Sequence, residues 1–473
     1  MLKLVLKLPG SVFILLLAAT ALLLTIALQY PLSTTFPIGG DAASHIRAAQ
    51  NILNGQQAIL TLRTSNYPLS NLILSGFAVL PGTWPDRFVA WITIGHILAG
   101  GALAALLWRI GSAYAAAAGL AIWALTPVGI NTHFEDGTAP QLWSLIFLLL
   151  TFERLAAGKR LSTVIFFTAA ALTHFLTGFV LAASLTMGTL VLLPIRRQLA
   201  AAQARLIKYL AVLIAALAVL SIRRVIRGLQ LPFVESQAKD YFLLDVLRSK
   251  FTPWLVVSLP GLAVMVRQLR RSLPTATSLL SFLWLSFLLT TNSSFSTGLW
   301  ENRFRTYFIT AVCLAAGLAL PALVQSAFRS AFLQLLFVSL LFTTTAALTW
   351  KDNADTYRYY ETPNNQTLPP DARSAIGWLA DHAPANSVIA STTATRYGEW
   401  IPVLTSLRWH ELSANHPLLS ASGEELSAAA RTAELTHLIF FTHHEDVNPA
   451  LRDNRSSFII PFTNSSTVIV QLL

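Results

Sequence analysis

One cysteine in 473 residues, Cys313, excludes an intramolecular disulfide and any metal site built on several thiolates. It lies inside an apolar stretch, so it leaves the redox compartment open. Charge is nearly as scarce, with 12% charged residues against 54% hydrophobic ones and a mean hydropathy of +0.58. That balance excludes an ordinary soluble protein, in which about a quarter of residues are charged. Carboxylates are scarcest where the chain is most apolar: nine Asp and Glu occur up to Trp350, against 25 Lys and Arg. From Lys351 onward the balance reverses, with 13 acids and eight bases. The net charge of +11 is therefore not a diffuse basic surface, and nucleic acid is not an expected partner. Also absent are a Gly-rich phosphate loop, a His-Glu-x-x-His helix, a Gly-x-Ser-x-Gly elbow and any repeat of 20–50 residues.

What is present is a series of apolar runs near the length that crosses a bilayer. Lipid offers no partner to backbone amides, so such runs span as helices. They fall near 11–30, 87–108, 113–130, 140–153, 161–175, 177–194, 209–222, 252–266, 276–291, 305–323 and 331–349. The first is long for a cleavable signal peptide and reads as an uncleaved anchor. Lys3 and Lys7 before it place the N-terminus in the cytoplasm. The clusters Lys159-Arg160, Arg196-Arg197-Arg205-Lys208 and Arg267-Arg270-Arg271 then also fall inside, and an odd number of crossings puts the tail outside. The expected fold is mainly α: a polytopic transmembrane helical bundle over residues 1–349, followed by a small α/β extracytoplasmic domain over residues 350–473. In the tail, "DARSAIGWLADHAP" and "GEELSAAARTAE" read as helices, and "SVIAS", "HLIFF", "SSFIIPF" and "STVIVQLL" as strands. The Ala/Leu-rich, Lys-poor composition reads as that of a bacterial plasma-membrane protein.

This topology sends every acid before Trp350 except Glu153 to the outer side, which marks that side as the working face. Asp41 follows Gly39-Gly40, which permits a tight turn, and precedes a helix-forming run with His45 one turn on. Two readings apply: a helix N-cap, or a partly desolvated carboxylate suited to general-base work. "INTHFEDGTAPQLW" gathers His133, Glu135 and Asp136, either as a solvated turn or as a contact to substrate or a divalent cation such as Mg or Mn. His174 sits at the outer end of a predicted hairpin, where it binds substrate or simply hydrogen-bonds between helices. "TGLWENRFRTYF" carries Glu301, Arg303 and Arg305 on the side where orientation disfavours arginine. Two guanidiniums one residue apart suit a phosphate, and snorkelling to headgroups is the other reading.

Together these stretches resemble the GT-C superfamily of integral-membrane glycosyltransferases. "GGDAASHIRAAQNIL" is similar to that family's first outer loop, and the resemblance implies that Asp41 is the catalytic base. "FEDGTAPQLWSLIFLLL" resembles its second outer loop, with Glu135 and Asp136 in the second acidic motif. That motif here is Glu-Asp rather than Asp-x-Asp, so a metal held by Asp41, Glu135 and Asp136 is an option and not a requirement. "ENRFRTYF" stands where relatives present a phosphate-binding arginine. "ATRYGEWIPVLTSLRW", with Tyr397 and Trp400, is similar to a segment of oligosaccharyltransferase-like members and implies an acceptor-side contact. The tail lacks the Trp-Trp-Asp motif that holds an asparagine sequon, so protein N-glycosylation is not expected.

The resemblance implies a membrane enzyme that moves a sugar from a polyprenyl-phosphate or diphosphate donor to a hydroxyl of a glycan, lipid or protein acceptor, with inversion. A transporter or flippase of a lipid-linked or anionic substrate would also explain the outer arginines. Transporters, however, tend to hold polar groups at mid-membrane in repeated halves. A non-catalytic scaffold on the same fold is the third class.

Overall fold

The computed structural model describes residues 10–34, 36–39, 41–56, 67–128, 134, 139–192, 208, 247, 249, 251–268, 273–291, 304–362, 366–392, 397–412, 428, 432, 434–442 and 458–472. Helices occupy ten of the eleven expected spans: α1 (Gly10–Ser33), α4 (Trp84–Ile110), α5 (Ala113–Ala124), α6 (Ala139–Ala156), α7 (Arg160–Thr173), α8 (Phe175–Leu192), α9 (Thr252–Gln268), α10 (Leu273–Thr290), α11 (Arg305–Ala327) and α12 (Ala331–Glu361). The remaining span, 209–222, lies outside the described residues. Between α1 and α4 come α2 (Ala42–Leu53) and α3 (Pro68–Gly76). Among the described helices six are long and apolar enough to cross a membrane, namely α1, α4, α8, α10, α11 and α12. The protein is membrane-embedded.

Contacts divide the chain into two units. The first comprises Met1–Ser33, Ile59–Ser70 and Ala90–Thr356, and the second Thr34–Ala58, Asn71–Val89 and Tyr357–Leu473. The second unit therefore takes in the Asp41 segment as well as the tail. α12 runs unbroken through residue 350, where the sequence suggested a domain boundary.

In the first unit the helices approach closely because small residues line their crossings, the usual solution where lipid removes the hydrophobic drive for helix association. A Cβ on Gly317 of α11 would lie 2.9 Å from the Gly119 Cα of α5, and one on Gly188 of α8 would lie 2.6 Å from the Ser278 amide of α10. α11 is buried along most of its length, from Thr306 to Leu320. At the other extreme, α12 turns Phe332, Leu335 and Leu340 outward, a surface suited to hydrocarbon. Polar contacts tie its later turns to the unit. Gln29 donates to the Trp350 carbonyl (2.9 Å), Thr349 to the Leu125 carbonyl (3.1 Å), and the Val128 amide to Asn353 Oδ1 (2.9 Å). Glu153, the acid that the topology sets apart from the rest, is buried between Arg109 (3.2 Å) and Arg154 (3.0 Å).

The second unit contains a five-stranded sheet of β1 (Val388–Thr392), β2 (Arg408–Leu412), β3 (His437–Phe440), β4 (Phe458–Thr463) and β5 (Val468–Leu472), in the order β2-β1-β3-β5-β4. β1 pairs parallel with β2 and β3, while β5 pairs antiparallel with β3 and β4. The register of edge strand β4 shifts between Ile459 and Phe462, where Pro461 has no amide to donate. Val388, Ala390, Leu438, Phe440, Val468 and Val470 alternate onto one face and form its core. α13 (Pro370–His382), a short turn at Tyr397–Trp400 and α14 (Ile401–Leu404) belong to the same unit. Helix α13 and strands β1, β3, β4 and β5 fall where the sequence pattern expected them. The expected helix "GEELSAAARTAE" lies almost wholly outside the described residues.

Candidate functional site

The described site residues form two clusters, one in each unit. The first is built around Asp41. Gly39 adopts φ +107°, a region that only glycine enters without strain, and the chain reverses there into α2. Asp41 occupies the N-cap position, and its carbonyl accepts from the His45 amide (3.2 Å) and the Ser44 hydroxyl (2.8 Å). Its side chain, however, makes no capping hydrogen bond. A carboxylate at this position ordinarily accepts from the amides of the first turn, and here it is not committed to that task. Asp41 is half-buried, and Ala42, Ala43, Ile46 and Ala49 of α2 are fully buried beneath it. His45 is buried too, with its ring stacked on Phe88 at 6.5 Å.

The approach to Asp41 is held by the tail. Phe36 packs against Trp400 (ring centroids 4.5 Å apart), and the Arg373 guanidinium lies 4.5 Å from the Phe36 centroid. The Gly39 amide donates to Thr367 Oγ1 (3.2 Å). Farther along α2, Arg47 lies over Trp409 at 5.6 Å and Gln50 donates to the Val403 carbonyl (3.4 Å). Trp400 is fully buried, so its ring supports Phe36 and presents no open stacking surface. Tyr397 is half-buried and meets Phe441 edge-on at 5.3 Å. Burial lowers the pKa of Arg373, and nearby Glu361 partly offsets that shift.

The second cluster, in the first unit, joins the N-terminal turns of three long helices. Thr177 Oγ1 of α8 lies 2.6 Å from the Tyr307 hydroxyl of α11 and 2.5 Å from Ser144 Oγ of α6. Tyr307 also hydrogen-bonds Gln141, and Ser144 donates to the Gln141 carbonyl (2.7 Å). His174, the single residue between α7 and α8, brings Nδ1 to 3.3 Å from Thr177 Oγ1, and its ring stacks on Tyr67 at 5.2 Å. All of these except Tyr67 are buried. Arg305 opens α11 two residues before Tyr307 and is half-buried. Each helix N-terminus carries about half a positive charge, so three meeting where one of the helices opens with an arginine favour an anion.

Of the residues singled out from the sequence as one site, Asp41, His45, Tyr397 and Trp400 fall in the second unit, and His174 and Arg305 in the first. His133, Glu135, Asp136, Glu301 and Arg303 lie outside the described residues. Among the described residues no three His, Cys, Asp or Glu side chains are grouped as metal ligands. Gln141, Ser144, Thr177, Tyr307, Phe36 and Arg373 were not singled out from the sequence. The signal available for the first four is a polar side chain opening an otherwise apolar helix.

At the level of sequence the chain matches no family model and no curated protein. Solved structures do match its fold. The oligosaccharyltransferase of Archaeoglobus fulgidus, in complex with Zn and sulfate, aligns over 90% of this chain and 67% of its own at 15% identity, with a TM-score of 0.58. ArnT from Cupriavidus metallidurans, bound to undecaprenyl phosphate, aligns over 97% of both chains at 13% identity, with a TM-score of 0.61. The arabinofuranosyltransferase AftD from Mycobacteria aligns over 96% of this chain and 41% of its own at 14% identity, with a TM-score of 0.54. The A. fulgidus enzyme has also been solved with an inhibitory peptide and a dolichol-phosphate.

Proposed function

We propose that this chain, which has the fold of the GT-C glycosyltransferases, transfers a sugar from a polyprenyl-phosphate or diphosphate donor to an acceptor hydroxyl at the outer face of the membrane. The observation that carries the reading is the junction of three helix N-termini at Thr177 and Tyr307, with Arg305 opening one of the three helices. That arrangement suits a lipid phosphate, and similarly folded proteins have been solved with polyprenyl phosphates bound.

In the reaction, the Asp41 carboxylate accepts the proton of the acceptor hydroxyl as its oxygen attacks the anomeric carbon. The new C–O bond forms as the bond from that carbon to the donor phosphate breaks, and the phosphate leaves with the electron pair. Arg305, with Arg303 from the same sequence motif, stabilises the charge that develops on the leaving group. Direct displacement inverts the anomeric configuration. Tyr67, His174 and Thr177 hold the helix ends in register. Glu135 and Asp136 orient the acceptor. A divalent cation would need both of them beside Asp41, since one described carboxylate does not make such a site.

The test is turnover in nanodiscs with a panel of undecaprenyl-phosphate-linked hexoses and pentoses. Consumption of one donor, release of undecaprenyl phosphate and a product of inverted configuration are expected. Movement of the intact donor across a vesicle bilayer without consumption would instead support a transporter.

A further inference from the structure

The tail of a membrane glycosyltransferase is readily pictured as a cap over the acceptor. The contacts within the second unit suggest a different duty for part of it. Between Phe36 and Asp41 the sequence runs through Gly39 and Gly40, and a glycine pair has many backbone states available in isolation. Three contacts from the tail bear on the described part of that segment. Trp400 lies on one side of Phe36 and the Arg373 guanidinium over its ring, while Thr367 accepts from the Gly39 amide. Trp400 and Ile38 are fully buried and Phe36 is nearly so, which makes this a packed joint and not a surface touch. Two further contacts, Arg47 over Trp409 and Gln50 to Val403, anchor the helix that Asp41 opens. Trp409 is itself fixed by a 2.8 Å hydrogen bond to Ser391 of β1, so the anchor leads into the sheet.

We propose that Phe36, clamped between Arg373 and Trp400, is a positioning residue through which the C-terminal domain sets the place of the Asp41 carboxylate. The proposal rests on the reading of Asp41 as the base. A glycine turn gives Asp41 its reach but not its aim. The clamp supplies the aim by pinning the chain five residues upstream. The same joint explains why a fully buried Trp400 belongs to the site without an open face of its own. Because a misplacement of about 1 Å can cost roughly 100-fold in rate, a small loosening of this joint acts on turnover rather than on donor binding.

The experiment has two arms. In the first, Phe36→Leu, Trp400→Leu and Arg373→Met are assayed in nanodiscs with the undecaprenyl-phosphate sugar panel, after matched melting curves establish folding. The expected result is a fall in kcat of about 10- to 100-fold with donor KM changed by less than about twofold, since the clamp touches no donor group. Phe36→Tyr, which keeps the ring, recovers most of the rate. Folded Phe36→Leu with unchanged kcat, or a rise in KM alone, overturns the proposal. The second arm needs no donor. A nitroxide on Ser44→Cys, an exposed position in the first turn of α2, is compared in a Cys313→Ala background with and without Phe36→Leu. A restricted spectrum that becomes mobile with Phe36→Leu supports the clamp, and an unchanged spectrum overturns it. If Asp41→Asn retains transfer, the base assignment fails, while the spin-label arm still reports whether the clamp holds the turn.

Discussion

Thr177 Oγ1 sits 2.6 Å from the Tyr307 hydroxyl and 2.5 Å from Ser144 Oγ, so one threonine ties together the ends of three membrane helices. A hydroxyl donates once and accepts twice, and Thr177 uses this capacity with His174 as a third neighbour. Hydrogen bonds between membrane helices are individually modest, so Tyr307→Phe should cost about 1 kcal/mol of stability. Thr177→Val should cost more than Tyr307→Phe or Ser144→Ala, because it removes three buried contacts at once. Double-mutant cycles on thermal unfolding in detergent would show non-additive losses for Thr177 with Tyr307 and additive ones for Thr177 with remote Gly188.

Arg305 is expected to act on the departing phosphate. Arg305→Met should lower kcat/KM for the preferred donor by about 100-fold or more and weaken retention of undecaprenyl phosphate during purification. Arg305→Lys should recover only part of the rate, since an ammonium cannot reproduce a bidentate grip. Lipid mass spectrometry with steady-state kinetics checks both effects.

The crossing of α5 with α11 has no room for a side chain. A Cβ on Gly317 would lie 2.9 Å from both the Gly119 Cα and the Leu107 Cδ1. Gly317→Val should therefore lower stability by about 1–3 kcal/mol through overpacking, whereas Gly101→Ala, which meets nothing within 4 Å, should be neutral or mildly stabilising. Apparent melting temperatures of the two variants would separate these outcomes.

His437 gives the C-terminal sheet a pH dependence. Burial lowers its pKa below the ordinary value of 6.5. Below about pH 6.5 the unfolded chain takes up a proton that the folded sheet resists, so the unfolded state binds more protons there. The His437 contribution to stability is then fully present above about pH 6.5 and declines as pH falls toward the lowered value. Melting of the full chain between pH 8 and pH 5 should fall less steeply for His437→Gln than for the wild type. Equal slopes would contradict this assignment.

The apolar spans were legible because lipid imposes a length and a composition on any helix that crosses it. The buried strands of the tail were legible for a related reason: "SVIAS", "HLIFF" and "STVIVQLL" are apolar runs of strand length. β2 was missed because Arg408, His410 and Glu411 of this edge strand are exposed, leaving only Leu412 fully buried. The Thr177 network was missed because a hydroxyl in an apolar helix can satisfy itself on the carbonyl one turn back. Thr173 and Ser184 bond to Ala169 and Val180 in that way. Composition alone does not distinguish such residues from those that reach another helix. The Phe36 joint joins residues hundreds of positions apart, and no local pattern announces it. Asp41 was legible as an acid on a glycine turn, but not the fact that its side chain leaves the helix uncapped.

If Asp41 removes the acceptor proton, Asp41→Asn should stop transfer without disturbing the donor. The substitution keeps size and polarity while abolishing basicity. Wild type and variant would be compared in nanodiscs with the undecaprenyl-phosphate sugar panel, at matched melting temperature and matched retention of undecaprenyl phosphate. Transfer should fall by at least about 100-fold in Asp41→Asn while donor binding persists. Transfer at the wild-type rate by a folded Asp41→Asn protein would contradict it.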